Sequence, residues 1–179
     1  MRHLTKFSIV LLLTLGLRGT VATAPAFSPE SHRAEQPTPG EPLAIVVNRS
    51  NTVEDLSSRE LQSVFLGERS HWANGRRITL VMRDPGEPER KTILRDVCGM
   101  TEDQLKTHVL RGLFTGEILV SPKILSTPSG VRRFIFNVPG AIGYLRVRDV
   151  DASVKVLTID KLPPSDKDYK LHVLPQGVN

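Results

Sequence analysis

The sequence predicts an α/β fold, a three-layer sandwich built on a mixed or largely parallel sheet. Three observations carry that expectation. Short apolar runs rich in β-branched residues alternate along the chain with amphipathic stretches, the amphipathic stretches open on helix-capping signals, and no internal period points to a repeat array. The composition agrees: 39% hydrophobic and 24% charged residues in a chain of 179 are the values of a globular domain with one core.

Leu43 to Val47 is a continuous apolar run that stops at the polar cluster Asn48-Arg49-Ser50-Asn51, so it reads as a buried strand. Ser57 followed by Glu60 forms a capping box. A helix over about 58–66 follows, with Leu61, Val64 and Phe65 on one face and Gly67 as its cap. After a turn at Asn74-Gly75, residues 78–82 (ITLVM) form a second buried strand, followed by Arg83-Asp84-Pro85-Gly86-Glu87-Pro88-Glu89. Ile93, Leu94 and Val97 are spaced for a helix that Gly99 ends. Strand, glycine-containing turn and helix, in that order, place a ligand site at a helix N-terminus.

Thr101 with Gln104 opens another helix, whose Leu105, Val109 and Leu113 share a face. The chain returns through Ile124-Leu125, and Thr127-Pro128 starts a helix carrying Val131, Phe134 and Ile135 inward. Pro139-Gly140 punctuates, Ala141 to Leu145 is a short strand, and Val154 to Ile159 is read as one more.

Ahead of this domain, Met1 to Ala26 has the form of a secretory signal peptide: Arg2 and Lys6, the apolar run Phe7 to Leu17, then small residues ending in Ala24-Pro25-Ala26. The run is far shorter than the roughly 20 residues a bilayer-crossing helix needs. Residues 1–26 are therefore expected to be removed, leaving a periplasmic protein with no membrane span. Residues 27–41, with Pro29, Pro37, Pro39 and Gly40, read as a flexible linker, and residues 42–179 as the folded domain.

The formal charge of the whole chain is +5. Cleavage would remove Arg2, Lys6 and Arg18 and no acid, leaving 21 Lys and Arg against 19 Asp and Glu, a net of +2. So small an excess, without interleaved aromatics, argues against a nucleic-acid partner. A single cysteine excludes an internal disulfide and a cysteine-based zinc site. Cys98, on an apolar helix face, reads as a buried, inert thiol.

Several pieces in this order resemble the C-terminal lobe of the periplasmic phosphate-binding proteins of ABC transporters: residues 43–51 (LAIVVNRSN), 61–72 (LQSVFLGERSHW), 78–83 (ITLVMR), 139–144 (PGAIGY), and 157–160 (LTID) with Tyr169. The Phe65-Leu66-Gly67 block with Trp72 and the block Gly140 to Tyr144 are the specific ones. The resemblance implies a single lobe of the type II periplasmic-binding-protein-like fold. It further implies a binding module rather than an enzyme, with phosphate or another small anion as ligand and a transporter permease as partner. Arg83 and Gly86 are the ligand-binding candidates, and no cofactor or metal is implied.

Two departures from the pattern matter. Residues 27–41 are too short to be the second lobe that closes over the ligand, and Glu87-Pro88-Glu89 stand where the family carries a Ser-Gly-Thr turn. A helix N-terminus holds phosphate through free N–H groups and the positive end of its dipole. Pro88 has no N–H, and Asp84, Glu87 and Glu89 bring negative charge to the same end.

The plainer reading of Arg83 is an ion pair with Glu87 or Asp84, and that of the three acids is ordinary N-terminal helix chemistry rather than a metal site. His71, His108 and His172 lack metal-ligand spacing, Trp72 packs its loop, and neither Ser70 nor Ser129 lies in a nucleophile motif. The rival expectation is an envelope interaction protein that keeps the lobe without the phosphate site. It predicts an exposed apolar patch and either a homodimer or a docked envelope protein.

Overall fold

The computed structural model describes residues 40–173, so the expected signal peptide and nearly all of the expected linker lie outside the described residues. In chain order the elements are β1 (Glu41–Asn48), β2 (Asp55–Leu56), α1 (Ser58–Phe65), β3 (Thr79–Arg83), α2 (Pro88–Ile93), α3 (Glu102–Thr115), β4 (Lys123–Leu125), α4 (Pro128–Asn137), β5 (Ala141–Arg146), β6 (Val154–Val156), β7 (Thr158–Ile159) and β8 (His172–Val173). The main sheet has the order β4-β3-β5-β1-β6, with β8 pairing the start of β1. It is mixed: β3 runs parallel to both β4 and β5, whereas β1 is antiparallel to β5, β6 and β8.

The apolar run of β1 is continuous because both faces of the sheet are covered. Leu43, Ile45 and Val47 point to one face, where Met82, Ile142 and Tyr144 join side chains of α1, α2 and α3. Ala44 and Val46 point to the other, where Val81, Ala141 and Leu145 meet Val131 and Ile135 of α4. Helices, sheet and helix therefore form the expected three layers.

Helix starts follow their capping signals. Ser57 accepts from the Glu60 N–H while Glu60 reaches back, Thr101 and Gln104 do the same, and Thr127 accepts from the Gly130 N–H ahead of Pro128. α2 continues into a π-helical turn, Leu94–Cys98, which Gly99 ends with φ of 64° and an N–H to the Leu94 carbonyl.

Two expectations need correction. The run Val154 to Ile159 is not one strand: Leu157 is fully buried and donates its N–H to the Ile45 carbonyl at 2.9 Å. Beyond it the chain leaves the main sheet to pair in parallel with β2, giving β6 and β7. Leu113 does not share the inward face of α3: it is 39% exposed, and at its level the inward position is held by buried Gly112, against which Ile118 packs.

Candidate functional site

β3 ends at Arg83, and the turn that follows passes through Gly86 at φ of +91°, a conformation that favours glycine, before Glu87 at the N-cap position of α2, whose side chain makes no capping bond. Both predicted site residues thus sit at the junction between strand and helix. Gly86 is exposed and Arg83 is buried.

Arg83 is held from three directions. Its backbone N–H donates to the Tyr144 hydroxyl at 2.9 Å, and its carbonyl accepts from Arg90 Nη1 at 2.8 Å. Its Nη2 donates to Glu87 Oε2, also at 2.9 Å. Of the two acids proposed as its partner, Glu87 is the one that binds. Arg83 Nε and Nη1 are buried without a hydrogen-bond partner among the described residues, as is Glu89 Oε2.

Around this junction each arginine has a glutamate. Arg90 donates through Nε to Glu102 at 2.8 Å; Arg146 bridges Glu89 and, at 2.9 Å, Glu41; Arg148 reaches Glu41 at 3.0 Å. Four arginines face four glutamates, so the carboxyl end of β3 and β5 carries no net excess to draw an anion. The three acids expected to crowd one helix end are also separated: Glu87 turns to Arg83, Glu89 to Arg146, and Asp84 offers its carbonyl to the Glu87 N–H at 3.3 Å.

Burial raises the Glu89 carboxyl, but the Arg146 hydrogen bond and charge outweigh it and leave the pKa below its ordinary value. Burial pushes the Tyr144 hydroxyl well above the usual phenol range, so it stays protonated and accepts from Arg83 through its oxygen. The Cys98 thiol is pushed up to about 11 by the same cause, as suits an inert buried side chain.

The two blocks singled out in the sequence meet in space and support this junction. Trp72 is buried and its Nε1 donates to the Gly140 carbonyl at 3.0 Å, the same carbonyl that accepts the Thr79 N–H at the start of β3. Phe65 and Tyr144 pack with ring centroids 6.1 Å apart and their planes tilted by 35°. The ring of Tyr144 thereby joins α1 to β5, and its hydroxyl fixes the end of β3. The tyrosine was visible in the sequence as part of a motif, but its bond to Arg83 was not, since the two lie 61 residues apart. Arg90 and Arg146 were missed altogether, because nothing local distinguishes a buried arginine from a solvated one.

The remaining candidates take the plainer roles. His108 Nε2 lies 2.8 Å from the Leu66 carbonyl, and exposed His71 lies 2.9 Å from Ser70 Oγ through Nδ1. No group of three or more His, Cys, Asp or Glu is placed to hold a metal among the described residues. No helix among them is long and apolar enough to cross a membrane.

No protein-family model matches the chain. It is 28% identical over 138 residues to the phosphate-binding protein PstS of Bacillus subtilis (strain 168), a match spanning 70% of this chain and 38% of that protein. An ABC-type phosphate transport receptor from Vibrio cholerae has the same fold with a TM-score of 0.58 at 22% identity, over 71% of this chain and 49% of that one. PstS from Borrelia burgdorferi gives 0.58 at 12% identity, over 71% and 50%. The chain thus spans about half the length of these structures. In sequence it resembles a phosphate-binding protein, and in fold it corresponds to a single lobe of the phosphate receptors of ABC transporters.

Proposed function

We propose that the protein is an exported, single-lobe binding module that does not capture phosphate tightly and acts by contact with another protein of the cell envelope. The observation that carries this reading is the Arg83–Glu87 ion pair: the arginine at the family's anion position is already neutralised by a carboxylate 2.9 Å away. An incoming anion would have to displace Glu87 or share the arginine with it, and Pro88 supplies no N–H in return. The names of the matched proteins, binding proteins and transport receptors, support binding rather than catalysis. The leader-like residues 1–26 support export to the periplasm.

A second reading is weak binding of phosphate or another oxyanion at Arg83 and the backbone near Gly86, with a transporter permease as partner. Arg83 Nε and Nη1, buried without partners among the described residues, favour it, because donor atoms of a guanidinium that are not otherwise engaged suit an oxyanion. Calorimetric titration of phosphate into the protein separates the two. The first reading expects no heat of binding at millimolar phosphate; saturable heat, lost in Arg83→Gln, would replace it by the second.

A further inference from the structure

α3 is the longest helix among the described residues and is held by few of its side chains. Of its 14 residues Leu105 and Gly112 are buried and Val109 packs partly against the core, whereas Leu110, Leu113 and Phe114 are exposed. α1, with 8 residues, buries Leu61, Val64 and Phe65. A helix draws most of its stability from the face it packs, so α3 is an element that can open without unfolding the sheet. Each end is a glycine in the left-handed region, Gly99 at φ of 64° and Gly116 at 77°, with no atom within 4 Å of where a Cβ would stand.

Two polar contacts latch the helix. His108 Nε2 lies 2.8 Å from the Leu66 carbonyl, and Glu102 accepts from both Nε, at 2.8 Å, and Nη2 of Arg90. The second latch reaches the candidate site, because Arg90 also donates through Nη1 to the Arg83 carbonyl. Its two partners are unequal: the Arg90 side chain is 7% exposed and that of Glu102 40%. When the pair parts, Glu102 leaves into water, while Arg90 stays buried beside Arg83 without that counter-charge. The other carboxylates of the junction, Glu41, Asp84, Glu87 and Glu89, belong to β1, to the turn after β3 and to α2, so Glu102 is the one that α3 carries. Asp103, Lys106 and Arg111 move with the helix, but they are exposed and outside any ion pair among the described residues, so they leave no buried charge behind.

We propose that α3 is a regulatory arm for the candidate anion site. Docked, it places Glu102 on Arg90 and weakens the junction's hold on an anion. Swung away, it leaves a second buried arginine beside Arg83 for an oxyanion to pair with. The two events are linked: an oxyanion at the junction favours the open arm by the same factor by which the open arm favours the oxyanion. This rests on the reading of Arg83 as a neutralised anion position and adds what controls that position.

Hydrogen–deuterium exchange read by mass spectrometry, on the protein produced from the full-length sequence, tests the arm. Amides of α3 should exchange at least about a hundred-fold faster than those of β1 and β5, at a rate that urea below the unfolding midpoint barely changes, since a local opening exposes little surface. Phosphate calorimetry tests the link, on Glu87→Gln so that the competing carboxylate is out of the way. In that background Glu102→Gln should tighten phosphate at least about three-fold. Asp103→Asn takes a charge from the same helix turn but from solvent, and should leave the affinity within about two-fold. Saturating phosphate should also speed the exchange of α3 while slowing that of residues 83–89, whereas a ligand that merely stabilised the fold would slow both. Amides of α3 that exchange only together with the strands overturn the proposal, and so does a Glu102→Gln effect no larger than that of Asp103→Asn. The underlying reading fails differently and takes the link with it: phosphate then binds none of these variants, or binds as well after Arg83→Gln, while α3 still opens.

Discussion

The hydroxyl of Tyr144 accepts the backbone N–H of Arg83 at 2.9 Å, deep in the sheet where Tyr144 is 1% and Arg83 6% exposed. This one bond ties the residue that closes one of the two specific sequence blocks to the residue at the candidate anion position. Removing the hydroxyl leaves a buried donor without a partner, which costs about 1–3 kcal/mol. Tyr144→Phe keeps the ring against Phe65, so the loss isolates the hydrogen bond rather than the packing. Urea unfolding is expected to show a lower midpoint with an unchanged slope. A stability equal to that of the wild type would mean that the Arg83 N–H finds another partner.

Gly140 marks a second point where the sequence pattern has a steric cause. A Cβ there would stand 2.1 Å from the Arg77 carbonyl oxygen, backbone that cannot swing aside. Its own carbonyl serves both Trp72 and Thr79, so displacing it loosens the loop and the start of β3 together. Gly140→Ala should destabilise by about 1–3 kcal/mol, the range for overpacking, and should raise the fluorescence response of Trp72 to quenchers. Unchanged quenching would show that the clamp survives the shift.

Much of the fold was legible because its signals are local. The capping pairs at Ser57 and Glu60 and at Thr101 and Gln104 lie within four residues, and the buried run of β1 is contiguous. The break at Leu157 was not legible, since it depends on Ile45 and on β2, each about a hundred residues away. At the site, Arg83 and Glu87 are an i,i+4 pair and were foreseeable as partners. The pairs of Arg90 with Glu102 and Arg146 with Glu89 join separate elements, so no spacing rule announces them.

Glu89 should make the protein sensitive to acid. Its folded pKa lies below its ordinary value of 4.5, so the charged form is favoured in the folded state. The stability it contributes is then fully present above about that value and is lost as pH falls through the lower folded pKa. Below pH 4.5 the wild type should lose stability more steeply than Glu89→Gln, whose neutral side chain cannot take up the proton, and the two curves should run parallel at neutral pH. Thermal unfolding across that window checks the slope. Parallel curves throughout would assign the acid sensitivity to other carboxylates, of which Asp55 and Asp160 are also held below their ordinary value.

Glu87 is the residue whose removal should change what the lobe can hold. Two like charges roughly 5 Å apart at an effective dielectric near 20 oppose each other by about 3 kcal/mol, or about two factors of ten in affinity. Glu87 is 38% exposed in its side chain, so solvent screens part of that repulsion and a gain of roughly ten-fold is the expectation. Glu87→Gln keeps the size of the side chain, cancels its charge and frees Arg83 Nη2 to join Nε and Nη1, which have no partner among the described residues. Phosphate calorimetry on the variant should therefore detect saturable binding where the wild type gives little or none. Adding Arg83→Gln should abolish it, since the arginine is then the attraction and the glutamate only its competitor. If Glu87→Gln binds no better than the wild type, the missing turn hydroxyls and the absent N–H at Pro88 are the limiting loss, and the carboxylate is a bystander.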